Sequence, residues 1–362
     1  MSEKRPPRVP FLLLLLALAA PAFADDVHTA EPAPSGPREI VPERTLDPDT
    51  RETKAGALEG GARALAFSPD GKLLAVGAAN GAVSIARLDA SCGWIRVGEH
   101  LGAVAGVSFL ARPDGLALVS AGDDETLRVA TIDAGLACVS SLSRPLGLGP
   151  LTALAVLDAD RVVVGSARGS LAVVRVGSAL AVERTIERHE GAVVAVVALG
   201  GNKVASAGWD GTVKVTDTAS GRELRSAKVS SVELTALAAT SDGRALAVGS
   251  WKKGVQLLDS ATLKLLATVE PHRGAASALL LAGPPKTGLE KSRLVSASLA
   301  DELLCASEAL GAKPELHGLK KTRVTAVPAG GLAVSPDGRL VACAANDGTI
   351  GLYGIAPAAS GR

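Results

Sequence analysis

Residues 206–217 read SAGWDGTVKVTD, and the fold turns on this stretch. Asp210-Gly211 is a turn pair, because a two-residue hairpin turn needs positive φ at its centre and Asp-Gly tolerates it. Val213 and Val215 alternate with Lys214 and Thr216, so the strand after the turn has one more buried face. Upstream stands His189 in RHEGAV. Downstream, DTASGREL is a polar turn leading into a further strand. Four strands joined by short turns cannot bury both faces alone. The unit requires neighbours of its own kind.

Such neighbours run the length of the chain. Positions matching Asp210 are Asn80, Asp124, Arg168, Lys252, Asp301 and Asp347. Each is followed by an alternating apolar run: GAVSIARL, ETLRVATI, GSLAVVRV, GTVKVTDT, KGVQLLDS, ELLCASEA and GTIGLYGI. Before each comes a short strand, such as LLAVGA, RVVVGSA or LVACAA. The spacing of about 44 residues is that of propeller blades with four strands each. Inner strands such as ALAFS and AVVAVVAL are apolar at nearly every position, which predicts burial on both faces. Pro69-Asp70-Gly71, with its echoes in SPDG at 335–338 and SDG at 241–243, predicts tight turns between first and second strands.

Composition is compatible with one large apolar domain. The chain has 362 residues, 47% of them hydrophobic, but only 2% aromatic, so Val, Leu and Ala must fill the core. A net charge of +1 exerts no global pull toward nucleic acid or anionic membranes. At the N-terminus, Lys4, Arg5 and Arg8 precede FLLLLLALAA and then Ala22-Phe23-Ala24. That is the layout of a secretory signal peptide over residues 1–24, and it predicts an exported, periplasmic or secreted protein. Ten apolar residues rise about 15 Å as a helix, half a bilayer core, so no membrane span is expected. Residues 25–50, rich in Pro and charge, read as a disordered linker. Residues 51–356 carry the repeats, and 357–362 are a tail.

The phrases HxGxV, SPDGxxLA and S-x-x-x-D-G-T-V-x-V, followed by Asp and a polar turn, resemble the WD-repeat propellers. The resemblance covers roughly residues 51–356. It implies an all-β, seven-bladed β-propeller acting as a platform for proteins. It also implies a buried network of a His before the first strand, a Ser or Thr in the second, the turn Asp, and a Trp in the third. His100, Ser120 and Asp124 fill the first three places in one repeat, and His189, Ser206 and Asp210 in another; His272 begins a third. The Trp-Asp pair is nowhere intact: it stands as Thr216-Asp217, Leu258-Asp259 and Tyr353-Gly354. After Tyr353 only GIAPAASGR remains, too little for an outer strand, so ETKAGAL at 52–58 is expected to close the ring. A long Pro-Gly loop, GPPKTGLEKS, interrupts the sixth repeat and is expected on the face opposite the Asp210-type turns.

Catalytic chemistry finds little support in the residues. The His residues recur at one repeat position on different blades, without the spacing of a metal triad. His28 and His317 fall in linker and loop. Asp123-Asp124-Glu125 supplies too few oxygens for calcium, and no G-x-S-x-G, H-E-x-x-H or Walker-type loop is present. No cofactor is expected. Cys92, Cys138, Cys305 and Cys343 read as free, buried thiols, since neighbouring blades splay at the rim beyond disulfide reach. Partner binding has a sharper candidate. Trp209 and Trp251 occupy the same place in adjacent repeats, and Trp is enriched at binding hot spots. Lys252, Lys253, Arg168 and Arg273 surround them in the repeat pattern, suiting one or more proteins with an acidic docking segment, bound by a monomer. The alternative is that the two rings only pack on neighbouring loops. Trp94, in an outer-strand segment, reads as rim packing. A quinoprotein-like export scaffold and a propeller lactonase remain as other classes; DTASGREL looks like the D-x-x-T-G turn of the former, but the docking Trp expected in each of its blades are missing.

Overall fold

The computed structural model describes residues 53–54, 61–88, 94–112, 115–252, 254–283, 286–298, 303–310, 320–323, 328–345 and 348–354. The expected signal peptide, linker and tail, and Cys92, Lys253, His28, His317, Asp301 and Asp347, lie outside them. The fold is an all-β propeller. Among the described residues the strands form seven four-stranded antiparallel sheets. The first six follow chain order within residues 62–99, 104–145, 151–187, 193–228, 234–269 and 278–323. The seventh takes three strands from 328–354 and a short strand, Thr53–Lys54, laid against Ile350–Gly354 with Thr53 opposite Leu352. Each sheet's first strand packs against the first strand of the next, and Pro328–Val334 of the seventh packs against Ala62–Phe67 of the first.

Burial grades from the middle of each sheet to the rim. Second strands such as Leu73–Ala78 and Ala245–Ser250 are buried at every position. They have a neighbouring sheet on each face, which is why LLAVGA and ALAVGS carry no large polar residue. The first strands depart from the sequence expectation. Ala62–Phe67 and Val193–Gly200 are only partly buried at half or more of their positions, because first strands face the axis of the propeller as well as the sheets beside them. Outer strands are polar and exposed, as in Cys138–Pro145. Val, Leu and Ala fill the seams as their abundance required: Ala62, Leu74 and Ala86 of the first sheet share one core with Ala342, Ala344 and Ile350 of the seventh.

The decisive turn forms, but not as a two-residue hairpin. Gly211 N donates to Gly208 O at 3.0 Å, so Trp209 and Asp210 are its central residues and only Gly211 has positive φ, at +72°. A side chain at Gly211 would also strike Ser230 O. This is a turn followed by a left-handed residue, the longer of the common hairpin connections. In the second sheet Glu125 takes the left-handed place with φ +64°, a strained choice for a residue with a Cβ. The Pro69 turn matches expectation: Gly71 N donates to Ser68 O at 2.9 Å, and the 335–338 turn repeats it at 2.8 Å. The long loop of the sixth repeat carries a 3-10 turn, Leu289–Lys291, and is tied to the fifth sheet by Thr287 N donating to Ser241 Oγ at 3.1 Å. It therefore lies on the face of the first-to-second-strand turns, opposite Asp210.

Candidate functional site

Two buried networks hold the loops on the Asp210 side. In the fourth sheet, His189 at the end of the preceding loop reaches Ser206 of the second strand, with Nε2 2.8 Å from Oγ. Its Nδ1 lies 3.1 Å from both Asp210 oxygens. Asp210 also accepts from Thr212 Oγ1 at 2.6 Å and from the backbone N–H groups of Thr212 and Glu190 at 3.0 and 3.1 Å. The second sheet repeats the pattern. His100 lies 2.8 Å from Ser120 and 2.9 Å from Asp124, and Asp124 accepts from Thr126 Oγ1 at 2.6 Å and Leu101 N at 3.0 Å. An ionised carboxylate only accepts, so Nδ1 carries the proton and donates to the Asp. Nε2 then accepts from the Ser hydroxyl, and every polar atom of the ring is satisfied.

Burial sets the charge state of these groups. Both imidazoles are fully covered, and this pushes His100 and His189 below the usual histidine range despite the neighbouring carboxylates. The neutral form just assigned is thus the stable one. Burial alone would raise the Asp124 carboxyl. Hydrogen bonds from Thr126, His100 and Leu101 outweigh it and hold the group at about 2. Asp210 is lowered in the same way, burial opposing and Thr212 and His189 prevailing. A neutral imidazole locked between Ser and Asp looks like a catalytic arrangement in outline. Here the Ser hydroxyl and the ring are buried, and the network braces the loops.

Sheet six varies the theme. His272 Nε2 lies 2.9 Å from Ser296 Oγ, and Cys305 Sγ stands 3.6 Å from His272 Nδ1. The thiol donates to Pro271 O at 3.4 Å. Thr126, Thr212 and Ser296 were not singled out from the sequence, and Cys305 was expected as a buried thiol but not as a neighbour of His272. The recurring Asp-x-Thr was a visible signal for the two threonines, whereas Cys305 reaches His272 only through the register that sets it opposite Ser296. Cys138 is exposed, not buried as expected, because it begins an outer strand with no sheet beyond it. Cys305 and Cys343 are buried as expected.

The position of the family's Trp is taken by smaller groups. Thr216, opposite Val204, is 1% exposed, and its hydroxyl has no hydrogen-bond partner. Ala130 stands opposite Leu118 in the second sheet, and Tyr353 opposite Val341 in the seventh. These pairs are equivalent in register.

The two candidate anchors share one setting. The backbone N–H groups of Trp209 and Trp251 donate to Ala192 O and Glu233 O at 2.9 and 3.1 Å, each at the start of its sheet. Asp123 does the same with Ala103 O at 2.9 Å. Trp209 is partly buried and leans over the His189 loop, where a side chain at Gly191 would press on its Cβ. Trp251 is 48% exposed. Lys252 is exposed and its Nζ donates to Ser231 Oγ at 2.6 Å. Arg168 is exposed with its stem over Gly149, and Arg273 is exposed directly after buried His272. Leu101, in the equivalent loop of the second sheet, is 93% exposed. Trp94 packs, partly buried, on the core shared by the first and seventh sheets.

The sequence matches the WD domain, G-beta repeat family over residues 54–85, 181–217 and 320–353. The second match starts in the outer strand of one sheet and ends after the third strand of the next, so the sequence repeat straddles two sheets. No curated protein matches the chain. Three repeat matches, on sheets that recur with the same strand order and turns, with His-Ser-Asp bracing in the second and fourth, identify the chain as a WD-repeat β-propeller.

Proposed function

We propose that this propeller is a non-catalytic scaffold that holds proteins on the face carrying Trp209 and Trp251. The observation that carries the reading is Trp251. A large aromatic side chain lies half exposed, on a turn whose backbone is pinned to the start of its own sheet. Presenting an aromatic group on a rigid base lowers the ordering cost of binding. Arg168, Lys252, Lys253 and Arg273 favour an acidic docking segment on the partner. The scaffold works as a monomer, as a seven-bladed ring closed by the N-terminal strand. The Thr53–Lys54 pairing and the contact between first and last inner strands support that closure. Residues 1–24 act as a cleaved signal and 25–50 as a spacer, so the protein operates outside the cytoplasm. Among the described residues no helix is long and apolar enough to cross a membrane. Affinity capture from the native compartment tests the reading. Trp209→Ala with Trp251→Ala should lose specific partners while the unfolding midpoint holds. Capture unchanged alongside a midpoint several degrees lower would assign both rings to packing.

A further inference from the structure

Between the first and second sheets lies a cavity of about 100 Å³. Val83 and Val97 of the first sheet line it, with Leu118, Ser120, Arg128 and Ser141 of the second. The space exists because of Ala130. At the equivalent place in the seventh sheet stands Tyr353, 2% exposed and packed in the core between the sixth and seventh sheets. The sheet geometry accepts an aromatic ring there, and Ala130 leaves that volume open.

The polar atoms in the cavity are specific. Arg128 Nε is buried and has no hydrogen-bond partner. Ser120 Oγ spends its proton on His100 Nε2 and keeps lone pairs to accept. A buried guanidinium N–H without an acceptor is costly, and an anion that fits would remove that cost. Val83, Val97, Leu118 and Ala130 are apolar walls, and exposed Cys138 and Ser141 also border the space. A cationic donor beside hydrocarbon walls selects a ligand that carries both an anionic and an apolar part.

We infer that this seam is a binding site for a small monocarboxylate with a short apolar tail. Its carboxylate accepts from Arg128 Nε, and its tail lies against Val83, Val97 and Leu118. A cavity of about 150 Å³ holds the six heavy atoms of benzene, so this one holds about four or five, the size of propionate. Inorganic dianions match the guanidinium but gain nothing from the apolar walls. Neutral amides of the same shape match the walls but present a weaker acceptor.

The test uses the full chain, with ligand-observed NMR and thermal unfolding, and with propionate, propionamide and sulfate as probes. Propionate should bind saturably at one site and raise the unfolding midpoint. Arg128→Met should weaken propionate at least tenfold. Ala130→Leu should abolish binding and raise the midpoint without ligand, since it fills the space with hydrocarbon. No saturable propionate binding overturns the inference. So does binding that survives both substitutions, or sulfate binding as tightly as propionate.

Discussion

Asp210→Ala should be among the most destabilising single changes on this face, and the structure sets its size. The carboxylate accepts from His189 Nδ1, Thr212 Oγ1, Thr212 N and Glu190 N within 2.6 to 3.1 Å. The last two donors are partly exposed and can turn to water. The imidazole cannot, because its side chain has no solvent exposure. An orphaned buried donor costs about 1–3 kcal/mol, and each lost hydrogen bond to a charged group adds about 1.5 kcal/mol before water repays part of it. The sum is about 3–4 kcal/mol. In a domain of this size that lowers the midpoint by roughly 6–16 °C. Urea unfolding followed by circular dichroism is the assay, read as a drop in midpoint at constant slope. Asp133→Ala is the control, on an exposed turn at the opposite end of the strands. A loss below about 1 kcal/mol for Asp210→Ala, or equal losses for the two, would refute the bracing role.

Other outcomes follow from the same groups. His100 and His189 sit below the usual histidine range, so the unfolded chain takes up protons first and stability falls as pH drops below about 6.5. The Asp124 carboxyl, at about 2 against 3.8, adds stability that is present above the unfolded value and is lost only as pH falls through the folded one; after solvent screening it amounts to about 1 kcal/mol. Urea midpoints measured from pH 8 to about 5 should show the histidine limb, and the double variant His100→Gln, His189→Gln should flatten it; an unchanged limb would exclude these residues as its source. Thr216→Val should leave stability equal or raise it by up to about 1 kcal/mol, because it removes a buried hydroxyl without a partner at nearly constant volume. A clear loss in calorimetry would show that the hydroxyl is satisfied.

Much of this architecture was legible in the sequence, because each turn announces itself chemically. Asp210-Gly211 and Pro69-Asp70-Gly71 marked real turns, although the centre of the first lies one residue earlier than Asp-Gly alone implies. The His-Ser-Asp sets were legible for the same reason: their members sit at fixed offsets from the turn. Burial was less so. ALAFS and LLAVGA look alike as apolar runs, and only assembly shows that the first faces the axis while the second lies between two sheets. A further pattern escaped because every repeat was aligned to the same marker. Among the described residues, histidine networks occupy alternate sheets, the second, fourth and sixth. The third and fifth share LTALA instead, and from it Thr152 and Thr235 donate to Val193 O and Ala276 O of the following sheets at 2.5 and 2.6 Å. The packing unit is therefore a pair of sheets as much as a single one. Cys305 beside His272 and the cavity at Ala130 depend on register across strands and seams, which spacing along one strand does not encode.

Amide hydrogen exchange at Ile350–Gly354 bears most directly on the proposed closure of the ring, on which the rigidity of the proposed binding face depends. In the full chain this strand has Thr53–Lys54 on its outer side, so its outward amides should exchange slowly. A chain beginning at residue 62 should expose them, with faster exchange there and a lower, broader unfolding transition. Equal protection and equal cooperativity in the two chains would contradict the account.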